Sequence, residues 1–481
     1  MTYLRRNRAA RVTAAAAALA VAASAFPISA HAEYAVVDLG ALSNTPTQHR
    51  ASVGAVNTTG QAVLTTAPDA TAYHGFRYDT GALLDLGTLG GTTSSAVGIN
   101  TSGQIVGQST TAGGIAHAYV WTPGGTAGAA SNPQMKDLNP TGGVSAATAI
   151  NSTGQVVGFV AVSHPGLGDT DRAFIYSGGT MTQLPLPQTG GYSISYAYGV
   201  NDAGKVVGEA YTALSPIPHG FFYNGSASVE IGDFGGGGST PLAINKSDQV
   251  VGYSTTADGY DHAFSYHAGA ITDLGTLGGG HYSYAKAIAS GGQIVGGSFT
   301  DDVDSVYHAF SSDGVTMTDL NSKVTSKAAD WVLNEATGVN DAGVIVGTGT
   351  LAGAAHGFLL RPLAAGDATA DGSVDFNDLV KLAQNYNSSG PSLWEQGDFN
   401  GDGLVDFNDL VLLAQNYNTT QTGVFASSPA FAVDLAAAFA EVPEPSSVAA
   451  SLSVLLLAAG TGRGRRRQTS GHILTSARGK V

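Results

Sequence analysis

The chain has 481 residues, enough for two or three domains, and it contains no cysteine, which excludes disulfide bonds and thiol chemistry. Its formal net charge is −15, and ten of its 21 basic residues lie in the first 32 and the last 19 positions. The region between them is therefore strongly acidic and repels nucleic acid and anionic lipid, so nucleic-acid binding is not expected.

The N-terminus has the pattern of a secretory signal peptide. Four arginines form a basic start, an alanine-rich apolar run follows through Ala25, and residues 30–32 offer a small-residue cleavage site. We therefore expect residues 1–32 to be removed during export, which leaves Glu33 as the first mature residue.

Residues 33–363 repeat one pattern about every 47 residues. A clear copy spans residues 85–121 and contains the phrases DLGTLGG, GINTSGQIVG and HAYVW. The asparagine of the middle phrase recurs at Asn57, Asn100, Asn151, Asn201, Asn245 and Asn340, with Ala289 in its place once. The histidine of the last phrase recurs at His74, His117, His219, His262, His308 and His356, with Arg172 in its place once. The region therefore contains seven repeats.

Each repeat has enough apolar, β-branched runs and glycine turns for four strands, which predicts the blade of a β-propeller. A β-solenoid is the alternative, because 66 residues of the chain are glycine. The region starts with a lone DLG strand and stops at a third strand, so its two ends would complete one blade of a closed ring. We predict an all-β, seven-bladed β-propeller.

The phrases HAF, DLGTLGG and GINxxGQVVG resemble the extracellular HAF repeat family over about 330 residues. The resemblance implies no particular chemistry. Six equivalent histidines could ring a channel and bind metal, but equivalent positions on separate blades lie too far apart unless they line the axis. We expect these histidines to bond a neighbouring blade or turn.

The other repeated residues also have structural explanations. We expect the asparagine to cap its own turn, the aspartate of DLG to bond between blades, and the aromatic residue after each histidine to fill the space between blades. Trp121 and Trp331 are candidate stacking platforms for glycans, although packing in the core is the expected role. No catalytic motif stands out, so an enzyme is not expected.

A second region contains a duplicated segment. Residues 374–387 read VDFNDLVKLAQNYN, and residues 405–418 read VDFNDLVLLAQNYN. Each copy completes a loop in which oxygen donors occupy positions 1, 3, 5, 9 and 12 and a backbone carbonyl occupies position 7, as in calcium-binding loops. The predicted ligands are Asp367, Thr369, Asp371, Ser373, Asp375 and Asp378 in the first loop and Asp398, Asn400, Asp402, Leu404, Asp406 and Asp409 in the second. Two calcium ions are expected, the first bound more weakly because Thr369 offers only a hydroxyl.

Residues 364–420 resemble a type I dockerin, because each loop closes with aspartate and leads into an exit helix. The resemblance implies a small α-helical module that binds a cohesin-like partner, in two orientations related by a half-turn. The implied partner-binding residues are Phe376, Asn377, Lys381, Phe407, Asn408 and Leu412. The Phe-Asn pairs differ from the Ser/Thr pairs common in cellulosomal dockerins, so a cellulosome is not implied.

The C-terminus has the pattern of a second targeting signal. After a linker at residues 421–441, Pro443, Glu444 and Pro445 precede an apolar run and an arginine cluster. Residues 442–467 resemble the PEP-CTERM sorting signal. The tail that follows, residues 468–481, is longer than the tail usual in that family. The resemblance implies transient membrane anchoring, processing by an exosortase-type enzyme, and release at the cell surface or extracellular matrix of a Gram-negative bacterium. A tail anchor or a loosely ordered terminus is the alternative.

These features together predict an exported, surface-sorted, non-catalytic structural or interaction protein. Its propeller would serve as a binding scaffold, and its dockerin-like module would dock through calcium. The alternative functions are a polysaccharide-active enzyme, either a glycoside hydrolase or a lyase, and a glycan-binding module that recognises extracellular polysaccharide.

Overall fold

The computed structural model describes residues 34–42, 52–67, 72–164, 168–188, 190–212, 214–325, 330–388, 392–418, 434–435 and 437–438. The chain forms two compact units, one of residues 33–362 and the other of residues 1–32 with 363–481. The predicted signal peptide, the sorting residues Pro443, Glu444 and Pro445, and the tail lie outside the described residues.

Within the described part of the first unit, 28 strands form seven four-stranded antiparallel sheets. Blade 1 comprises β2 (Ser52–Val56), β3 (Ala62–Thr66), β4 (His74–Asp79) and β5 (Ala82–Asp85). Blade 2 comprises β6 (Gly90–Ile99), β7 (Ile105–Thr111), β8 (Ala116–Trp121) and β9 (Met135–Asp137). Blade 3 comprises β10 (Ser145–Ile150), β11 (Val156–His164), β12 (Gly168–Ser177) and β13 (Thr180–Gln183). Blade 4 comprises β14 (Tyr192–Val200), β15 (Val206–Thr212), β16 (His219–Tyr223) and β17 (Ser228–Glu230).

The remaining blades follow the same plan. Blade 5 comprises β18 (Gly235–Ile244), β19 (Val250–Thr256), β20 (Asp261–His267) and β21 (Ala270–Asp273). Blade 6 comprises β22 (Ser283–Ile288), β23 (Ile294–Phe299), β24 (Tyr307–Ser312) and β25 (Met317–Asp319), followed by a 3-10 turn at Leu320–Lys323. Blade 7 comprises β26 (Trp331–Val339), β27 (Ile345–Leu351), β28 (Ala354–Pro362) and β1 (Tyr34–Ala41).

Both ends of the unit contribute to blade 7, which closes the ring. Strand β1 pairs with β28, so Tyr34 lies opposite Pro362 and Val37 lies opposite Leu359. The first strands of successive blades lie side by side, and β2 of blade 1 also contacts β26 of blade 7. The prediction of a seven-bladed propeller is confirmed, and the β-solenoid alternative is not supported.

The core is distributed around the ring rather than gathered at one centre. The buried residues described form seven apolar clusters, and each cluster joins two neighbouring blades. For example, Val207 and Ile231 of blade 4 pack against Ile244 and Val250 of blade 5. Most of the stabilising burial therefore lies between blades, as a propeller requires, since one sheet cannot cover its own apolar faces.

In residues 363–418, the described part of the second unit contains two α-helices, α1 (Phe376–Asn385) and α2 (Phe407–Asn416), and a 3-10 turn at Trp394–Gln396. The helices begin at matched aspartates, Asp375 and Asp406, whose side chains accept backbone hydrogen bonds in capping boxes. None of the helices in the described residues has the length and apolar character needed to cross a membrane.

The two halves of this unit contact each other reciprocally. The amide of Asn387 donates to the carbonyl of Val405 (2.8 Å), and the amide of Asn418 donates to the carbonyl of Val374 (2.7 Å). This exchange reproduces in space the duplication seen in the sequence. The dockerin-like identity of the unit stays a prediction.

Candidate functional site

The repeated histidines lie near the start of the third strand of each blade. Among the described residues, five of them place Nδ1 within 3 Å of an aspartate in the fourth strand of the same blade. The pairs are His74–Asp85, His117–Asp137, His262–Asp273, His308–Asp319 and His356–Asp38. These bonds hold the outer strands of single blades together. The expectation that the DLG aspartate bonds between blades is therefore wrong.

The repeated asparagines form a chain of hydrogen bonds that crosses six of the seven blade boundaries. Each side-chain oxygen accepts amides of its own turn; Asn57, for example, accepts from Thr59 and Gln61. Each side-chain amide donates to the backbone carbonyl at the equivalent position of the next blade. The expected turn capping is confirmed, but the link between blades was not predicted from the sequence. We call this set, Asn57, Asn100, Asn151, Asn201, Asn245 and Asn340, the asparagine ring.

Ala289 interrupts the asparagine ring because it has no amide to donate to Asn340. At this blade boundary the backbone amide of Ser290 donates to the side chain of Asp341 at 2.7 Å. The equivalent bond, from Ser152 to Asp202 at 2.9 Å, also occurs between blades 3 and 4, beside the link made by Asn151. Blade 6 therefore keeps this bond to blade 7 but lacks the asparagine link.

The side chains that differ between repeats gather at the opposite end of the first strands. That end carries the connections between blades and the hairpins between second and third strands, and we call it the variable face. Five positions before the repeated asparagine, blades 1–3 have small residues, Ser52, Ser95 and Ala146. Blades 4–7 have Tyr196, Thr240, Tyr284 and Glu335 at the same position. Blades 4–7 therefore depart from the small residues of blades 1–3 at this position, chiefly with aromatic and acidic side chains.

A buried glutamate organises the boundary between blades 4 and 5. Glu209 is 6% exposed and accepts hydrogen bonds from Tyr198 Oη (2.5 Å) and Thr240 Oγ1 (2.9 Å). Tyr211 and Tyr253 lie on the second strands of the same two blades, near enough for the charge of Glu209 to act on their phenols. Burial and the charge of Glu209 raise the pKa values of Tyr198 and Tyr211 above the ordinary range. These phenols therefore stay neutral donors.

The contacts continue into blade 3. Tyr196 Oη donates to Asp171 at 2.8 Å. Its ring lies edge-on to Phe159, with centroids 5.1 Å apart, and edge-on to Tyr211 at 6.2 Å. At the boundary between blades 3 and 4, Tyr196 therefore contacts an aromatic ring with its own ring and a carboxylate with its hydroxyl group.

The contacts also continue toward blade 7. The rings of Tyr253 and Tyr284 meet edge to face at 5.0 Å, and Lys286 Nζ lies 5.6 Å from the centroid of the Tyr284 ring. Lys286 also pairs with Glu335 (3.2 Å), which accepts a hydrogen bond from Tyr307 Oη (3.2 Å). Burial and the negative charge of nearby Asp261 raise the pKa of Tyr284 to about 12.

The connections at the variable face add a second layer of aromatic residues. Tyr260 stacks on His281 with ring centroids 4.5 Å apart, and it also meets the edge of Tyr282 at 5.3 Å. His281 in turn contacts Asp304 through Nδ1 at 3.0 Å. We call the aromatic and charged residues of blades 3–7 at this face, together with Thr240, the tyrosine belt: Phe159, Asp171, Tyr196, Tyr198, Glu209, Tyr211, Thr240, Tyr253, Tyr260, Asp261, His281, Tyr282, Tyr284, Lys286, Phe299, Asp304, Tyr307 and Glu335.

The tyrosine belt was not predicted, because the repeat pattern is defined by the residues that the seven copies share, whereas the belt consists of residues that they do not share. A position-by-position comparison of the seven copies would have shown the departures at Tyr196, Tyr284 and Glu335, but not that their side chains converge. Of the two tryptophans considered as stacking platforms, Trp121 is 3% exposed in the core. Trp331 is half-buried at the start of β26, the variable-face end of that strand, where it packs against His356 and Phe358.

The predicted calcium loops form a second candidate site. Asp367, Asp378 and Asp409 are fully buried and Asp398 is 5% exposed, and all four accept backbone amides of their own loops. Burial, with a smaller contribution from the neighbouring carboxylates, raises the pKa values of Asp378 and Asp409 to about 6. The remaining predicted side-chain ligands, Thr369, Asp371, Asp375, Asn400, Asp402 and Asp406, belong to the same two loops, and Ser373 and Leu404 occupy position 7.

The donor set of these loops fits a hard cation. In the described part of the chain, no group of three or more His, Asp or Glu side chains already has the arrangement of a metal site. However, buried carboxylates are costly in free energy when they are ionised without a counter-charge. All the predicted ligands are oxygens, which is the donor type that calcium prefers.

The predicted partner-binding residues differ in their exposure to solvent. Asn377, Asn408 and Lys381 are exposed, and Phe376 and Phe407 are half-buried. Leu412 is 2% exposed, so it does not lie at the surface as its counterpart Lys381 does. The two halves of the module therefore differ at this position.

No family model matches the chain, and no curated protein matches it significantly. Solved structures with similar folds include an acylaminoacyl peptidase from Pyrococcus horikoshii (10% identity, TM-score 0.41, 65% of this chain and 52% of that one). They also include TolB from Acinetobacter baumannii (10%, 0.32, 68% and 98%) and the sialidase of Trypanosoma rangeli (9%, 0.34, 68% and 59%). The chain thus spans about half the length of the peptidase. At such low identity these likenesses concern the propeller fold alone.

Proposed function

We propose that this protein is an exported, non-catalytic binding protein. Its propeller holds a ligand at the variable face, and its C-terminal module attaches it to a cohesin-like partner through calcium. One observation carries the first part: the repeated asparagines and five of the histidines are bonded into the framework, whereas the non-repeated aromatic and acidic side chains gather at one face. Ligand sites are typically lined by aromatic side chains with a few oriented polar groups.

The docking role rests on the paired loops. Two calcium ions would be held by the oxygens of residues 367–378 and 398–409, and they would supply the positive charge that the buried carboxylates lack. The reciprocal bonds of Asn387 and Asn418 give the module two similar halves, which supports binding in two orientations. The secretory and sorting patterns in the sequence support processing by an exosortase-type enzyme and a place at the cell surface or in the extracellular matrix.

The propeller's role can be tested with the full chain and a panel of soluble extracellular polysaccharides. Retention in affinity electrophoresis and release of reducing sugars would be recorded for each polysaccharide. We expect retention without release. Released oligosaccharide would contradict the non-catalytic function and make the protein a polysaccharide-active enzyme.

The docking role needs a separate experiment. A purified type I cohesin domain would be titrated with the full chain in calcium and in chelator. We expect calcium-dependent binding that a chain ending at residue 363 lacks. Equal binding by both chains, or no binding in calcium, would contradict the docking role without affecting the propeller's role.

A further inference from the structure

We infer that the tyrosine belt is a binding site for an extended, neutral polysaccharide chain. This inference rests on the proposed function and names the ligand class of that same face. Sugar rings combine apolar C–H faces with many hydroxyl groups. A site for them therefore needs accessible aromatic rings beside fixed hydrogen-bond acceptors, which is the composition of the belt.

The aromatic rings remain partly accessible. Tyr196, Tyr211, Tyr253, Tyr260 and Tyr284 are all half-buried, unlike the fully buried aromatic residues that follow the histidines, such as Phe264 and Phe310. A ring that is held by neighbours on one side and open on the other can stack against an apolar sugar face.

The acceptors of the belt are fixed in place. Tyr196 holds Asp171, Tyr307 holds Glu335, and two side chains, Tyr198 and Thr240, hold Glu209. A carboxylate with two oxygens has about four lone-pair directions, so the half-buried Asp171 and Glu335 retain capacity for ligand hydroxyls, whereas the buried Glu209 fixes the side chains around it. Because the side chains are already ordered by each other, binding costs less conformational entropy than it would on a loose surface.

The charge of the belt decides between neutral and anionic sugars. Its carboxylates include Asp171, Glu209, Asp261, Asp304 and Glu335. Its one lysine, Lys286, already pairs with Glu335. A uronate or sulfated chain would place negative charges beside these carboxylates, so like-charge repulsion disfavours it.

The extent of the belt favours a chain over a single sugar. Side-chain contacts join Phe159 in blade 3 to Tyr196 in blade 4, and Glu209 in blade 4 to Thr240 in blade 5. Further contacts join Tyr253 in blade 5 to Tyr284 in blade 6, and Lys286 in blade 6 to Glu335 in blade 7. They cross four consecutive blade boundaries. A ligand matched to this surface must contact several blades at once, as successive units of a polymer do.

The test uses the full chain, mixed-linkage β-glucan and galactomannan as neutral probes, and polygalacturonate and alginate as anionic probes. The variants are Tyr284→Ala, Tyr284→Phe and Tyr260→Ala; Tyr260 lies on a hairpin, which keeps the test valid if Tyr284→Ala fails to fold. Tyr223→Ala is the matched control, because Tyr223 is also half-buried but lies at the asparagine-ring end of its strand. Circular dichroism and thermal unfolding establish that each variant is folded.

We expect at least one neutral probe to bind the wild type, and each alanine variant in the belt to bind about tenfold more weakly, as the loss of one aromatic contact predicts. Tyr284→Phe and Tyr223→Ala should bind nearly as well as the wild type. The inference is overturned if the belt variants bind like the control, if the anionic probes bind best, or if neither neutral probe binds. Binding that persists in every belt variant would overturn the site but not the proposed function. Sugar release that disappears in Tyr284→Ala would keep the site and overturn the non-catalytic function.

Discussion

His356 Nδ1 lies 2.9 Å from the carboxylate of Asp38, and this contact joins residues 318 positions apart in the chain. The same pair occurs in blade 5 as His262–Asp273 at 2.8 Å, where the two residues are 11 positions apart. Chemistry and exposure are nearly identical in the two blades, since the aspartates are 42% and 43% exposed. Only in blade 7 does the pair fasten the two ends of the ring.

Loss of the closing pair should therefore cost more than loss of its counterpart. We expect Asp38→Ala to lower the free energy of unfolding by more than Asp273→Ala, which should cost about 1 kcal/mol, the usual value of one such bond. The reason is that β1 is held to blade 7 without a short hairpin, so weakening it favours opening of the ring. Thermal unfolding of the two variants side by side measures the difference. Equal losses would mean that the pair acts only within its own sheet.

The asparagine ring predicts opposite effects at two equivalent positions. Asn151→Ala removes the bonds to Thr153, Gln155 and the carbonyl of Asn201. Burying unsatisfied groups costs about 1–3 kcal/mol, so this variant should be clearly destabilised. Ala289→Asn should instead stabilise the protein, because it supplies the missing donor toward Asn340. Urea unfolding checks both signs, and destabilisation by Ala289→Asn would show that the turn cannot hold the amide.

A glycine in the second strand should be intolerant of a methyl group. A Cβ on Gly208 would lie 2.0 Å from the carbonyl oxygen of Tyr196, whereas a Cβ on Gly291 meets nothing within 4 Å. We expect Gly208→Ala to destabilise the protein by about 1–3 kcal/mol through overpacking. Gly291→Ala is the matched control and should be nearly neutral in the same unfolding experiment. A neutral Gly208→Ala would mean that the first strand of blade 4 can move away.

Removal of calcium should unfold the C-terminal module but not the propeller. The indole Nε1 of Trp394 donates to the carbonyl of Asp367 at 2.8 Å, so its emission reports on the first loop. We expect chelator to lower the helical signal in circular dichroism and to change this emission, and Trp394→Phe should abolish the change in emission. A helical signal that is indifferent to chelator would contradict the prediction.

Variants distinguish the two calcium loops. Asp409→Asn removes a buried carboxylate of the second loop and should weaken calcium binding, whereas Asp313→Asn, at an exposed turn of the propeller, is the control and should not. Because Thr369 stands where the second loop has Asn400, the first loop should have the lower affinity. Calorimetric titration of the full chain should therefore show two unequal sites, and Asp409→Asn should remove the stronger one.

The tyrosine belt predicts a loss of stability at high pH. The pKa of Tyr284 is raised from 10.0 to about 12, chiefly by burial and then by the charge of Asp261. Between these two values the folded state binds more protons than the unfolded state, so stability falls as pH rises above about 10. Urea unfolding at pH 8 and pH 11 should show this fall, and Tyr284→Phe should reduce it. If the free energy of unfolding of that variant fell as much between pH 8 and pH 11 as that of the wild type, ionisation of other tyrosines would account for the loss.

Much of the propeller was predictable because its pattern is local and periodic. The phrases around Asn100 and His117 recur with the same spacing, and each copy encodes its own strands and turns. The lone strand before Asn57 and the unfinished blade at His356 also indicated a closed ring. In the same way, the duplication of residues 374–387 and 405–418 indicated two equivalent loops.

The partners of the repeated side chains were decided by the tertiary structure. The sequence identified the histidines and asparagines, but not that His356 pairs with Asp38, or that Asn340 reaches Asn57 across 283 positions. The belt is a stronger case, because Tyr196 and Asp171 belong to different blades. Periodicity specifies which residues occupy equivalent places in separate blades. Only the packing of one blade against the next determines which side chains meet, since that depends on distances that the spacing along the chain does not contain.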